Sequence, residues 1–161
     1  MSKNKIQKTN AVRLLDQQKV EYDIIEYIIE DNQLDGVSVA SKVGHPVSHV
    51  FKTLVATAGK GKVYVFVIPV AEELNLKTCA KLAGEKKIEM LHVKELLATT
   101  GYIRGGCSPV GMKKQYPTFI DNSAESLEYI LVSAGKIGMQ MKLKPIDLVK
   151  ITRGTFAKLT N

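Results

Sequence analysis

Tryptophan is absent from this chain of 161 residues, and cysteine occurs only twice, at Cys79 and Cys107. Two cysteines in segments of different character build no disulfide framework and show no metal-ligand spacing, so both are read as reduced thiols. Histidine is nearly as scarce, with His45, His49 and His92 the full set. His45 and His49 could share one face of a helix, but Pro46 shortens that helix and a third ligand is missing, so no metal is expected. No apolar run approaches the roughly 20 residues needed to span a bilayer. The opening Met1-Ser2-Lys3-Asn4-Lys5 leads into polar sequence without an apolar signal core, which points to the cytoplasm and away from a membrane.

What is present is ordinary for a globule, with 45% hydrophobic and 24% charged residues. The length has room for one core, so residues 1–161 are read as a single domain. The formal charge of +7 favours a polyanionic partner. It is unevenly spread. Residues 21–35 carry Glu21, Asp23, Glu26, Glu30, Asp31 and Asp35 with no Lys or Arg, whereas residues 129–161 carry Lys136, Lys142, Lys144, Lys150, Arg153 and Lys158 against Asp147 alone. One basic face follows, either a nucleic-acid contact or solvated lysine on an ordinary surface.

Thr9 caps a helix in which Ala11, Val12, Leu14 and Leu15 face inward, ending near Lys19. Tyr22 to Ile29 reads as a strand, Asp31 to Gly36 as a turn, and Ser38 to Gly44 as a short helix, with Pro46 starting another. Phe51 to Thr57 and Lys62 to Ile68 form a hairpin across Ala58-Gly59-Lys60-Gly61. Helices are expected over Asn75 to Ala83 and Val93 to Thr99, closed by Gly84 and Gly101. Ile88 to Leu91, Thr118 to Asp121, Tyr129 to Ser133 and Met139 to Leu143 read as strands, and Pro145 to Ile151 as a helix. Hairpins and scattered helices without regular alternation predict an α+β domain, with a central mixed sheet or barrel surrounded by short helices.

Two segments stand out. In Val50-Phe51-Lys52-Thr53-Leu54 a lysine interrupts an apolar strand; it either snorkels to water or serves a site. In Gly101-Tyr102-Ile103-Arg104-Gly105-Gly106-Cys107-Ser108-Pro109-Val110-Gly111 the glycines either satisfy a tight connection or let backbone N–H groups, Gly106 among them, approach a carbonyl oxygen. Pro109 locks φ at the loop exit. The spacing is neither a Walker loop nor a dinucleotide fingerprint, and no cofactor is expected. Cys107 lies inside the loop, but no histidine is spaced to serve as its base, so it is read as a passive small residue.

Phe51-Lys52-Thr53-Leu54 followed by Gly105-x-x-x-Pro109 resembles the YbaK family of bacterial aminoacyl-tRNA editing proteins, in motif order and spacing and over nearly the whole chain. Ser133-Ala134-Gly135-Lys136-Ile137-Gly138 resembles that family's second glycine turn, with Ala134 in place of a glycine. The resemblance implies a deacylase that clears Cys-tRNA(Pro), with Cys-tRNA(Cys) as a further substrate, in transient complex with prolyl-tRNA synthetase and without DNA as partner. It implies Lys52 as principal functional side chain, Thr53 beside it, Tyr27 near the pocket with Phe51 and Pro109, and Ser133 and Gly135 lining it. The Tyr27 position also suits an ordinary amphipathic strand end. In the family the substrate's own thiol is thought to attack the ester. Two alternatives stay open: an Ala-tRNA(Pro) deacylase, and a non-catalytic RNA-binding or regulatory module on the same scaffold.

Overall fold

The computed structural model describes residues 8–27 and 36–161. It opens with helix α1 (Asn10–Gln17), where the Thr9 hydroxyl accepts the Val12 amide at 3.2 Å and so satisfies one of the free donors of the first turn. Strand β1 (Asp23–Glu26) is shorter than the expected strand. Ile28 and Ile29, and the turn expected from Asp31 onward, lie outside the described residues. Helix α2 (Gly36–Val43) begins two residues before Ser38, and the turn that Pro46 starts is a 3₁₀ helix over Val47–His49.

The hairpin of β2 (Phe51–Gly59) and β3 (Lys62–Pro69) is followed by α3 (Leu76–Ala83), β4 (Glu89–Met90), α4 (Val93–Thr100) and β5 (Thr118–Asp121). Then come β6 (Ile130–Lys136), β7 (Met139–Leu143), α5 (Pro145–Thr152) and β8 (Thr155–Ala157). Strand β6 runs three residues past its expected end, and β8 carried no expectation: its three residues pair with β5 only through the tertiary fold. Among the described residues no helix is long and apolar enough to cross a membrane.

The strands form two sheets. β1, β7 and β6 are antiparallel in the order β1-β7-β6; the other sheet, β4-β2-β3-β5-β8, is mixed, with β5 parallel to both neighbours. Alternation sets the faces. Phe51 and Val67 from one sheet and Ile130, Val132, Met139 and Met141 from the other meet in the main core, joined by Ala11, Val12 and Leu15 of α1 and Leu148 of α5. Phe66 and Ile68 point the other way, onto Cys79 and Ala80 of α3. A parallel bridge between Val50 and Leu131 joins the sheets, and those two side chains pack with Ala40 of α2 and Val70 on the outer side. This α+β arrangement of a mixed sheet with short helices agrees with the class read from the sequence.

Candidate functional site

β2 and β6 run side by side from the Val50–Leu131 bridge, and the glycine loop spans them. Cys107 packs against Val55 of β2 together with Val63 and Tyr102. At the other end, a Cβ on Gly106 would sit 2.9 Å from the Ile137 nitrogen and 3.0 Å from the Lys136 carbonyl carbon. Only glycine permits that approach of two backbones. The loop at Gly105 to Pro109 and the turn at Ser133 to Gly138, far apart in sequence, are thus packed directly together.

Lys52 is the second residue of β2 and is half-buried. Its ammonium makes no hydrogen bond or ion pair among the described residues. The register of the Val50–Leu131 bridge, carried two residues on, sets Lys52 alongside Ser133. Thr53, the next residue, turns to the opposite face beside its register partner Val67, and its hydroxyl is buried without a partner among the described residues. Ser133 is buried and its hydroxyl accepts the Gly135 amide at 3.2 Å, which folds the start of the turn. Tyr27 is half-buried, and its amide donates to Gly138 at 3.0 Å, continuing the β1–β7 ladder by one residue. Alternation therefore places Tyr27, Ile25, Gln140 and Ser133 on one sheet face.

Gln140 was not among the residues singled out from sequence. It lies directly across from Ser133 in register, is 5% exposed, and its side-chain oxygen has no partner among the described residues. A buried acceptor left unpaired costs about 1–3 kcal/mol. A polar residue between Met139 and Met141, in a strand whose other face is core, was the available signal. Alternation alone reads it as an exposed position, and burial is what gives it meaning.

Two sequence readings need correction. Phe51, expected near the pocket, is 2% exposed and points into the main core, so it anchors the strand that carries Lys52 and does not reach a ligand. The Gly106 amide, offered as a donor to a substrate carbonyl, already donates to the Ile103 carbonyl at 3.0 Å in a turn with Gly105 at φ +87°. The next two amides, those of Cys107 and Ser108, take no acceptor among the described residues. Pro109 is buried and borders a separate shallow groove with Lys113, Lys114 and Tyr116.

Burial pushes the Cys107 thiol up to about 11, only partly offset by a hydrogen bond with Thr100. At neutral pH it is a packed, protonated side chain, as a passive residue should be. Tyr102 holds the loop from within: its hydroxyl donates to the Val110 carbonyl at 2.7 Å, and burial raises it to about 12. Ala134 lies outside the set of residues with positive φ, and its methyl is fully buried in the main core. The backbone there makes no demand for the glycine that the family has.

A family model described as an aminoacyl-tRNA editing domain matches residues 32–151. An Enterococcus faecalis protein named "Putative Cys-tRNA(Pro)/Cys-tRNA(Cys) deacylase EbsC" is 50% identical over 161 residues, covering 99% of this chain and 98% of the relative. A solved structure described as "a putative trans-editing enzyme for prolyl tRNA synthetase" superposes with TM-score 0.81 at 21% identity, over 96% of this chain and 99% of the other. Another, of a hypothetical protein, gives 0.85 at 22% identity, over 95% and 100%. These two likenesses concern the fold. With the family model covering most of its length and a relative at half identity end to end, the chain belongs to the aminoacyl-tRNA editing domain family.

Proposed function

We propose that this protein is a trans-editing deacylase that hydrolyses Cys-tRNA(Pro), with Cys-tRNA(Cys) as a second substrate, and that residues 1–161 act as one editing unit. The observation that carries it is a pair of polar side chains on one sheet face: the half-buried Lys52 ammonium, without an ion pair, and the buried Gln140 amide oxygen, without a donor, each among the described residues. Native proteins pair such groups with few exceptions, and exceptions gathered at one place point to a ligand that pairs them. An aminoacyl ester on ribose supplies the complement. Its α-ammonium is a donor for Gln140 and its carbonyl oxygen an acceptor for Lys52.

Among the described residues the site offers no base beside a nucleophile: Cys107 is held protonated by burial, and His45 and His49 are engaged with Tyr129. A substrate that brings its own thiol needs neither. The cysteinyl sulfur, losing its proton, bonds to the carbonyl carbon; the bond to the ribose oxygen breaks, that oxygen takes a proton, and cysteine leaves as a thiolactone that water opens. The protein then acts by orientation and by stabilising the oxyanion. Proline has no thiol and is spared. The tRNA selectivity rests on a transient partnership with prolyl-tRNA synthetase in the cytoplasm.

The experiment follows release of amino acid from Cys-tRNA(Pro), Ala-tRNA(Pro) and Pro-tRNA(Pro) by the wild type and Lys52→Ala. Release of cysteine alone, lost in the variant, is the expected result. Equal release of alanine would move the reading to the Ala-tRNA(Pro) enzyme. No release above buffer on any substrate would end it in favour of a binding module.

A further inference from the structure

One cluster of cation-capable side chains takes no part in the site described above. His45 Nδ1 lies 2.9 Å from the Tyr129 hydroxyl, and the two rings meet edge to face with centroids 5.4 Å apart. The His49 ring lies 4.7 Å from the same ring, tilted by 34°, and Lys142 Nζ stands 4.5 Å from its centroid. A tyrosine ring attracts a cation through its quadrupole, so Tyr129 acts as the post that gathers the other three. All four are half-buried, neither lost in the core nor free in solvent. Each imidazole uses only Nδ1, His45 on Tyr129 and His49 on Ser48 at 3.3 Å, which leaves both Nε2 atoms uncommitted among the described residues. Asp23 is the register partner of Lys142, yet no ion pair joins them.

Position gives the cluster its meaning. Tyr129, Leu131 and Ser133 alternate onto one face, so Tyr129 lies about 13 Å along the chain from Ser133, the reach of a couple of nucleotides of extended strand. Lys142 stands across from Leu131 as Gln140 stands across from Ser133. His49 precedes Lys52 by three residues in the segment that enters β2. A strand end threaded to the crevice along this face passes the cluster.

We propose that His45, His49 and Lys142, arranged round Tyr129, bind the phosphodiester backbone of the single-stranded RNA end that enters the crevice; this rests on the editing reading. Imidazole and ammonium groups donate to phosphate oxygens and position a strand without reading its bases. Stacking of a base on Tyr129 is not part of it, because Lys142 and His49 already cover the ring.

The test measures binding of the whole protein to an uncharged hairpin RNA with a single-stranded 3′ tail, and to the same hairpin without it, across a series of salt concentrations. Lys142→Gln should weaken binding of the tailed RNA about three- to tenfold. It should also lower the slope of log affinity against log salt by about 0.7, the share of one single-strand phosphate. His45→Gln/His49→Gln should weaken it further, while Lys60→Gln, at the far end of the hairpin, changes neither. The rate on a small cysteinyl ester without phosphates stays at the wild-type value in Lys142→Gln. An unchanged affinity and slope, or an equal loss on the untailed hairpin, overturns the proposal. Because uncharged RNA needs no cleavage, tail-dependent loss in a protein that cleaves no ester would sink the deacylase reading and leave this contact standing.

Discussion

Gly135 and Ala134 are neighbours in the last residues of β6, where its register with β7 shifts, and the structure assigns them opposite tolerances. Gly135 has φ +100°, and a Cβ there would sit 2.8 Å from Tyr102 Cε1 and 3.3 Å from the Thr9 Cβ. Gly135→Ala therefore meets two costs. Left-handed backbone at a residue with a Cβ is unfavourable by roughly 1–2 kcal/mol, and overpacking against a ring fixed by its hydrogen bond to Val110 adds about 1–3 kcal/mol. The expected loss is about 2–5 kcal/mol, which for a chain of this size lowers Tm by roughly 4–20 °C. Ala134→Gly, which restores the glycine of the family pattern, loses only a buried methyl and some backbone restriction, about 1–2 kcal/mol. Urea denaturation with circular dichroism separates the two values, and steady-state deacylation should fall in Gly135→Ala because Ser133 opens that turn. Equal destabilisation by both substitutions, or a Gly135→Ala protein as stable as the wild type, would refute the argument that Tyr102 fixes the turn.

Lys52→Met keeps most of the aliphatic stem and removes a half-buried charge that nothing pairs among the described residues. Deacylation of Cys-tRNA(Pro) should drop by about 10²-fold or more while the thermal midpoint holds or rises; a clear fall in the midpoint would reveal a structural partner and count against the site. Gln140→Leu should likewise stabilise the fold, by about 1 kcal/mol, since it removes a buried acceptor without a donor among the described residues, and lower activity on the same substrate. A loss of stability there would show that the amide is satisfied by the protein itself. For Cys107, whose folded value lies above its ordinary value of 9.0, stability is full below about pH 9 and declines as pH rises toward 11. Chemical denaturation at pH 8 and pH 10 should show a smaller decline in Cys107→Ala than in the wild type, and at pH 8 the native thiol should resist alkylation. Rapid alkylation of native protein would contradict its burial.

Much of this protein is legible in its sequence. Local chemistry placed the Thr9 cap, the hairpin at Gly59 to Gly61, the left-handed exits at Gly84 and Gly101 and the proline start of α5, because each depends on residues within a few positions of one another. Lys52 and Gly105 stood out for the same reason, as local departures from an apolar or regular pattern, whereas Ser133 was marked only by the family resemblance of its turn. The short strand β8 was not, since three residues pair with β5 only after the chain has returned to it.

The sequence by itself determined which segments become strands and helices and which ones carry unusual residues. Tertiary structure alone decided what those residues face. Phe51 and Lys52 are adjacent, yet one is core and the other lies beside the crevice, because the Val50–Leu131 bridge sets which face of β2 turns inward. Gln140 carried no reading in the sequence, and only its burial in the fold leaves its oxygen without a donor among the described residues. Gly106 looked like a free amide until the fold showed its hydrogen spent on Ile103 and its missing Cβ used to admit Ile137. Spacing along a chain prescribes conformation; only the packing of distant segments fixes which polar groups are left unsatisfied, and those are the groups left to meet a ligand.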